Sequence, residues 1–213
     1  MIRRALIAAL LAAACLPAGA GAVDAFLAFT ASTRSASARF DQQVFDRDGR
    51  VVERSSGTFA FLRPGRFLWA YDKPMRTVIV ADGTRLWLYD EDLNQVTVKT
   101  MDRALSATPA ALLAGREDVT AAFTLREAPR EDGLEWLEAI PKAKDTGFER
   151  VRIGFRSGKL AAMNLVDALG GSTALQFADV DPGAKLDAGA FRFTPPRGAD
   201  VIDESAPAPA RER

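Results

Sequence analysis

Between residues 38 and 99 apolar and polar positions alternate, and turn residues interrupt the alternation at short intervals. Phe40, Gln42 and Val44 alternate with Arg39, Asp41 and Gln43. Residues 58–62 form a second run, stopped by Arg63-Pro64-Gly65. Phe67, Trp69 and Tyr71 share one face of a third, which Asp72-Lys73-Pro74 ends because proline cannot donate to a ladder. Val78 and Val80 face one way in a fourth. Asp82-Gly83 then turns the chain into Leu86, Trp87, Leu88 and Tyr89, and Val96 and Val98 alternate in the last run. Asp46-Arg47-Asp48-Gly49 is a turn, and Ser55-Ser56-Gly57 reads as another break. A period of two with short glycine-containing turns predicts antiparallel strands joined by hairpins.

Helical signals flank this region. Asp24 is a plausible N-cap for a helix over 23–34, with Phe26, Leu27 and Thr30 on one side and Phe29 widening the stripe. After Lys99 the alternation stops. Thr108-Pro109 reads as N-cap and first turn of a helix over 110–114, with Gly115 just beyond its end. That segment, PAALLAG, is apolar almost all round. Strand patterning resumes with Val119, Ala121, Phe123 and Leu125, and continues over 134–140, with Trp136 on a strand. Val151, Ile153 and Phe155 precede a hairpin turn at Arg156-Ser157-Gly158-Lys159, and Gly170-Gly171 turns into Thr173, Leu175 and Phe177. Some ten short strands in series predict a mainly β chain: one long, strongly curved antiparallel sheet, an unclosed barrel. Its apolar, aromatic face must be covered, and the short helices are the available cover.

Composition changes the picture in two ways. Residues 1–22 read as a secretory signal, with Arg3 and Arg4, an apolar run over 5–16 and a small-residue cut site at Ala20-Gly21-Ala22. The apolar run is too short to span a bilayer as a stable helix. The domain is then expected over 23–203, followed by a tail over 204–213 whose alanine, proline and charge predict disorder. Cys15, the only cysteine, sits inside this leader. A rival reading makes Cys15 a lipidated N-terminus, but Ala12 stands where a lipoprotein signal usually has leucine, and Ala22 is the better cut site.

The second change is chemical. The chain has no histidine, and 28 basic residues balance 28 acidic ones. That excludes histidine-based triads and histidine-ligated metal, and a near-neutral balance argues against nucleic acid. No phosphate-cradling glycine motif occurs. Asp90, Glu91 and Asp92 cluster between strands as a solvated hairpin loop. A carboxylate-dependent hydrolase is thus the weakest rival, and the expectation is a protein without catalytic residues, metal or cofactor.

RPGRFLWAY (63–71), DGTRLWLYDEDLNQVTV (82–98) and FRFTPPRGADVI (191–202) occur in order on this background. Together they resemble the LolA family of outer-membrane lipoprotein carriers, from about Phe26 to about Asp203. The resemblance implies short lid helices over an apolar cavity and a periplasmic chaperone. It implies cargo of acylated lipoproteins, an inner-membrane ATP-driven exporter as donor and an outer-membrane lipoprotein receptor as acceptor. The carrier is expected to act as a monomer. It further implies that the Arg of the Arg-Pro pair, matched by Arg63, holds the lid shut by bonding helix backbone, aligned here with Leu113 and Ala114. Phe59, Phe61, Phe67, Trp69, Tyr71, Trp87 and Leu112 are the candidate cavity residues, and Phe26, Leu27, Pro109 and Leu113 belong to the candidate lid. Two rivals share the fold: an outer-membrane receptor anchored through Cys15, and an envelope-stress regulator, which carries a second domain for which this chain has no room.

Overall fold

The computed structural model describes residues 21–101, 110–115, 119–144 and 146–205. The proposed leader up to residue 20, Cys15 with it, Thr108-Pro109 and the tail from 206 lie outside the described residues. Helix α1 (Ala22–Ser32) precedes six strands: β1 (Ser35–Phe45), β2 (Val51–Leu62), β3 (Arg66–Lys73), β4 (Thr77–Asp82), β5 (Arg85–Asp90) and β6 (Gln95–Thr100). Helices α2 (Ala110–Ala114) and α3 (Val119–Ala122) lead to β7 (Phe123–Glu131), β8 (Leu134–Pro141), β9 (Phe148–Arg156), β10 (Lys159–Asp167) and β11 (Ser172–Pro182). A 3-10 turn (Ala188–Phe191) and β12 (Asp200–Asp203) follow.

Among the described residues the strands form one unclosed, curved twelve-stranded sheet in the order β12-β6-β5-β4-β3-β2-β1-β11-β10-β9-β8-β7. It consists of two meanders, β1 to β6 and β7 to β11, joined where β1 pairs antiparallel with β11. Strands β6 and β7 follow each other in the chain but lie near opposite ends of the sheet. The chain between them must cross, and α2 and α3 sit on that crossing. Topology thereby places helices over the open side.

The turns follow their chemistry. Asp132-Gly133 and Ser157-Gly158 adopt positive φ at both positions, as a two-residue hairpin requires. Residues 55–57 differ from the expected break: β2 runs through them without interruption. Gly57 is needed for close approach instead of for a turn. A Cβ there would lie 1.9 Å from the Ala70 carbonyl oxygen and 3.0 Å from the Phe40 ring, at a register shift between β2 and β3. Residues 119–122 are helical and not extended. A single helical turn there satisfies part of the backbone locally. Lys142 closes its end, with its backbone N–H donating to the Ala122 carbonyl and its Nζ to that of Thr120.

The two faces of the sheet are covered differently. On the concave side Phe40, Phe59, Phe61, Phe67, Trp69, Leu86, Ile153, Phe155, Met163 and Leu175 are buried in one cluster with residues of α1 and α2. Ile79 and Ala81 belong to this side of β4, so Val80 faces the other way. On the convex side the C-terminal segment supplies the cover. Phe191 is 1% exposed, and Phe193 lies 5.8 Å from the rings of both Trp87 and Tyr89. Strand β12 then adds in parallel to β6, and Asn94 Nδ2 donates to the Gly198 carbonyl at 3.0 Å.

Candidate functional site

The concave aromatics come from alternate positions of adjacent strands. Phe59 pairs across from Trp69 and Phe61 from Phe67, so four large rings line one face of two strands. Ring centroids stand 4.8 Å apart for Phe59–Trp69 and 4.5 Å for Phe40–Trp69. Phe59, Phe61, Phe67, Trp69 and Leu112 are all buried here, with Tyr71 at the margin. Trp87 is a correction. Leu86 and Leu88 take the concave positions of β5, so Trp87 stands on the convex side under Phe193. Its Nε1 donates to Asp82 Oδ2 at 2.9 Å. Two neighbouring strand positions always face opposite ways, and both Leu86 and Trp87 are apolar, so alternation alone does not choose between them.

Helix α1 lays Ala22, Phe26 and Phe29 against this face. Phe26 and Phe29 meet Phe155 edge-on at 6.5 and 6.3 Å, and Phe29 meets Phe61 at 6.1 Å. Leu27 is another correction: it is 38% exposed, on the outer side of the helix. Asp24 does not cap α1. The N-cap is Gly21, which has no side chain to offer. Glu127 on β7 supplies the acceptors instead, taking the Ala22 N–H at 3.0 Å and the Val23 N–H at 2.9 Å. A carboxylate at a helix N-terminus is also favoured by the helix dipole. In α2, Leu112, Leu113 and Ala114 are buried. Pro109, the remaining candidate of the lid, lies outside the described residues.

Arg63 stands where these helices end. Its Nη1 donates to the Thr30 and Thr33 carbonyls at 2.6 Å each and to the Phe29 carbonyl at 3.3 Å, all at the C-terminal end of α1. Its Nη2 donates to the Leu113 carbonyl of α2 at 2.5 Å. The last carbonyls of a helix have no partner within it and carry partial negative charge. One guanidinium serves both helices. The guanidinium also lies over the rings of Phe61, at 4.9 Å, and Phe29, at 5.5 Å. Burial pulls its pKa down to about 10, which leaves it charged at neutral pH. Ala114, aligned with the contacted backbone, has a different partner: its carbonyl accepts from the Gly65 N–H at 3.0 Å. Nothing in the sequence motifs anticipates the α1 carbonyls. The only hint is that α1, like α2, has to end near an apolar sheet.

Toward the other end of β3 the concave face turns polar. Tyr71 Oη donates to Gln42 Oε1 at 3.1 Å, and Gln42 Nε2 donates to Ser55 Oγ at 3.1 Å. Burial raises the Tyr71 phenol above its ordinary value, while the Gln42 and Trp69 side chains oppose that rise. Gln42 and Ser55 are buried.

The site is thus the interior of an open half-barrel, aromatic and covered by short helices tied through one arginine. Comparison with known proteins gives the family. Residues 31–194 match the family model described as outer membrane lipoprotein carrier protein LolA, and the chain belongs to that family. The outer-membrane lipoprotein carrier protein of Cupriavidus taiwanensis is 47% identical over 191 residues, covering 88% of this chain and 90% of that one. Its counterpart in Dechloromonas aromatica is 44% identical over 189 residues, covering 89% and 91%. A solved structure of an uncharacterized conserved protein from Thermus thermophilus has the same fold, with a TM-score of 0.52 at 15% identity, covering 84% of this chain and 94% of that one.

Proposed function

We propose that this protein is a periplasmic carrier that accepts acylated lipoproteins from an inner-membrane ATP-driven exporter, shields their acyl chains on its concave face and delivers them to an outer-membrane receptor. The observation that carries the reading is the double engagement of Arg63, which ties α1 and α2 together over the aromatic face. In the closed state Phe26, Phe29 and Leu113 occupy the space that acyl chains would take.

That self-filling suits transfer. Burying an acyl CH₂ is worth ~0.8 kcal/mol, so on the order of 40 such groups would nominally give ~30 kcal/mol. This exceeds any real non-covalent affinity, and such a complex would never release its cargo. If the cargo displaces lid side chains, apolar contact is exchanged for apolar contact and the net change is small. The energy that opens the lid comes from the donor, and closure of the Arg63 contacts favours release to the acceptor. With no nucleotide motif in the chain, the carrier itself is passive.

The test is co-purification from the periplasm together with probe binding. The folded, cargo-free protein is expected to bind an apolar fluorescent probe, and an acylated lipoprotein is expected to displace it. A folded protein that binds neither would refute the carrier reading.

A further inference from the structure

The polar rung beside Trp69 has a surplus of donors. Trp69 is 5% exposed, and its indole N–H has no hydrogen-bond partner among the described residues. The indole is near enough to the Tyr71 oxygen to restrain the phenol's pKa, but it makes no bond of proper geometry with it. An orphaned buried donor costs free energy comparable to a lost hydrogen bond, so it marks a position where an acceptor is missing. Trp69 packs against Tyr71 with centroids 6.4 Å apart, and Tyr71 leads to Gln42 and Ser55. Gln42 Nε2 has two N–H groups and one is engaged, with Ser55. The Tyr71 hydroxyl spends its proton on Gln42. The Ser55 hydroxyl acts as the acceptor in its bond with Gln42 and keeps its own proton to give. Within the group the two side-chain acceptors, Gln42 Oε1 and Ser55 Oγ, are each already engaged, and the Glu53 carboxylate stands at the rim of the same cavity while the Trp69 N–H behind it goes unmatched among the described residues.

Its position is equally specific. Going along β3 away from the Arg63 end, the concave residues are Phe67, Trp69 and Tyr71. Beyond Tyr71 a cavity of about 120 Å³ opens, lined by Gln42, Ser55 and Tyr71 on its inner side and by Glu53, Lys73 and Met75 toward solvent. Met75 is 56% exposed there. The apolar wall thus ends in a polar rung of Tyr71, Gln42 and Ser55 at an opening, with the Trp69 N–H next to it on the inner side. A long-chain acyl ester has the complementary polarity: a hydrocarbon tail, then a carbonyl oxygen that accepts and cannot donate.

We propose that Trp69, with Tyr71, Gln42 and Ser55, forms a subsite for the ester carbonyl of an O-acylated ligand. The tail runs past Phe59 and Phe67 toward Arg63, and the glyceryl head emerges beside Met75. This rests on the carrier reading and adds to it a fixed direction of entry and a preference for acyl ester over bare hydrocarbon.

The experiment uses the full chain and two probes, methyl palmitate labelled with ¹³C at its carbonyl and hexadecane. Trp69→Phe keeps an aromatic ring and removes the donor. It is expected to weaken methyl palmitate roughly five- to tenfold and leave hexadecane unchanged. The labelled carbonyl band should lie at lower frequency on the wild type than on the variant, because a hydrogen bond weakens the C=O bond. Tyr71→Phe releases Gln42 and should lower ester affinity in the same direction, which keeps the test open if the tryptophan variant folds poorly. Competition by a synthetic diacylglyceryl-cysteine peptide and by phosphatidylethanolamine vesicles shows which ester source the subsite prefers, and displacement by either supports it. If both variants bind the ester as the wild type does, with the band unmoved and hexadecane still bound, the subsite is refuted and the carrier reading stands. If the wild type binds neither probe, both readings fall together.

Discussion

Arg63 Nη2 lies 2.5 Å from the carbonyl oxygen of Leu113, fifty residues along the chain. The same guanidinium reaches Thr30 and Thr33 on a different helix. Two elements that touch the sheet independently are therefore joined at one point, which on the proposed carrier reading has to be released before the concave face opens.

Arg63→Leu is expected to separate loading from release. Each charge-assisted bond lost is worth roughly 1.5–3 kcal/mol where it is sheltered, and less where water replaces it. Opening becomes easier, so cargo enters at least as readily as in the wild type, while the drive to close and expel it is gone. A periplasmic assay should find the variant folded by circular dichroism and loaded with lipoprotein that it does not pass on. Wild-type rates for both steps would remove Arg63 from the mechanism.

Glu127→Ala removes the two acceptors that cap α1. Loss of a side-chain cap costs about 0.5–2 kcal/mol. Amide exchange over 24–32, the part of α1 past the expected cut site, should accelerate roughly two- to thirtyfold, which is that free energy expressed as an opening constant. Exchange in β3 should not change. Equal acceleration in both places would mean that α1 and the sheet open as one unit.

Gly57→Ala tests the close crossing of β2 over β3. The new methyl group would meet the Ala70 carbonyl oxygen, which is backbone and cannot rotate away. Overpacking of this kind typically costs about 1–3 kcal/mol, and thermal unfolding should show a clear fall in Tm. An unchanged Tm would indicate that the strands can part at the bulge without cost.

Asp82 provides a pH prediction. Burial would raise its carboxyl pKa, but hydrogen bonds from Thr84, Trp87 and the Arg85 backbone outweigh burial and hold it below its ordinary value. A depressed carboxylate contributes stability that is fully present above its unfolded pKa and is lost as pH falls through its lower folded pKa. Trp87→Phe removes one donor, so the folded pKa should move up and the acid loss of stability should begin at higher pH. An NMR titration of the Asp82 carboxyl carbon in both proteins reads this directly. A titration curve that does not move would show that the Trp87 N–H contributes nothing to the carboxylate.

Legibility from sequence follows the range of the interaction. Phe67, Trp69 and Tyr71 can be assigned to one face because alternation is a property of three neighbouring residues. The turns at residues 156–159 and at Gly170-Gly171 are legible for the same reason, since glycine tolerates the φ that such turns need. Gly57 misleads because a glycine that permits close approach looks, in one dimension, like a glycine that permits a turn.

The sequence by itself determined that this is a mainly β chain with one aromatic face, short apolar helices to cover it and no histidine chemistry. These follow from periodicity and composition, which depend only on local order. Tertiary structure alone decided which of two apolar residues faces the interior, placing Leu86 inside and Trp87 outside, because that choice depends on the neighbouring strand. It also decided that Glu127 caps a helix 105 residues away, that Arg63 binds α1 as well as α2, and that the Trp69 N–H finds no hydrogen-bond partner among the described residues. A partner can be required by local chemistry, but its identity is set by which distant segments the folded sheet brings within about 3 Å, a distance at which hydrogen bonds form.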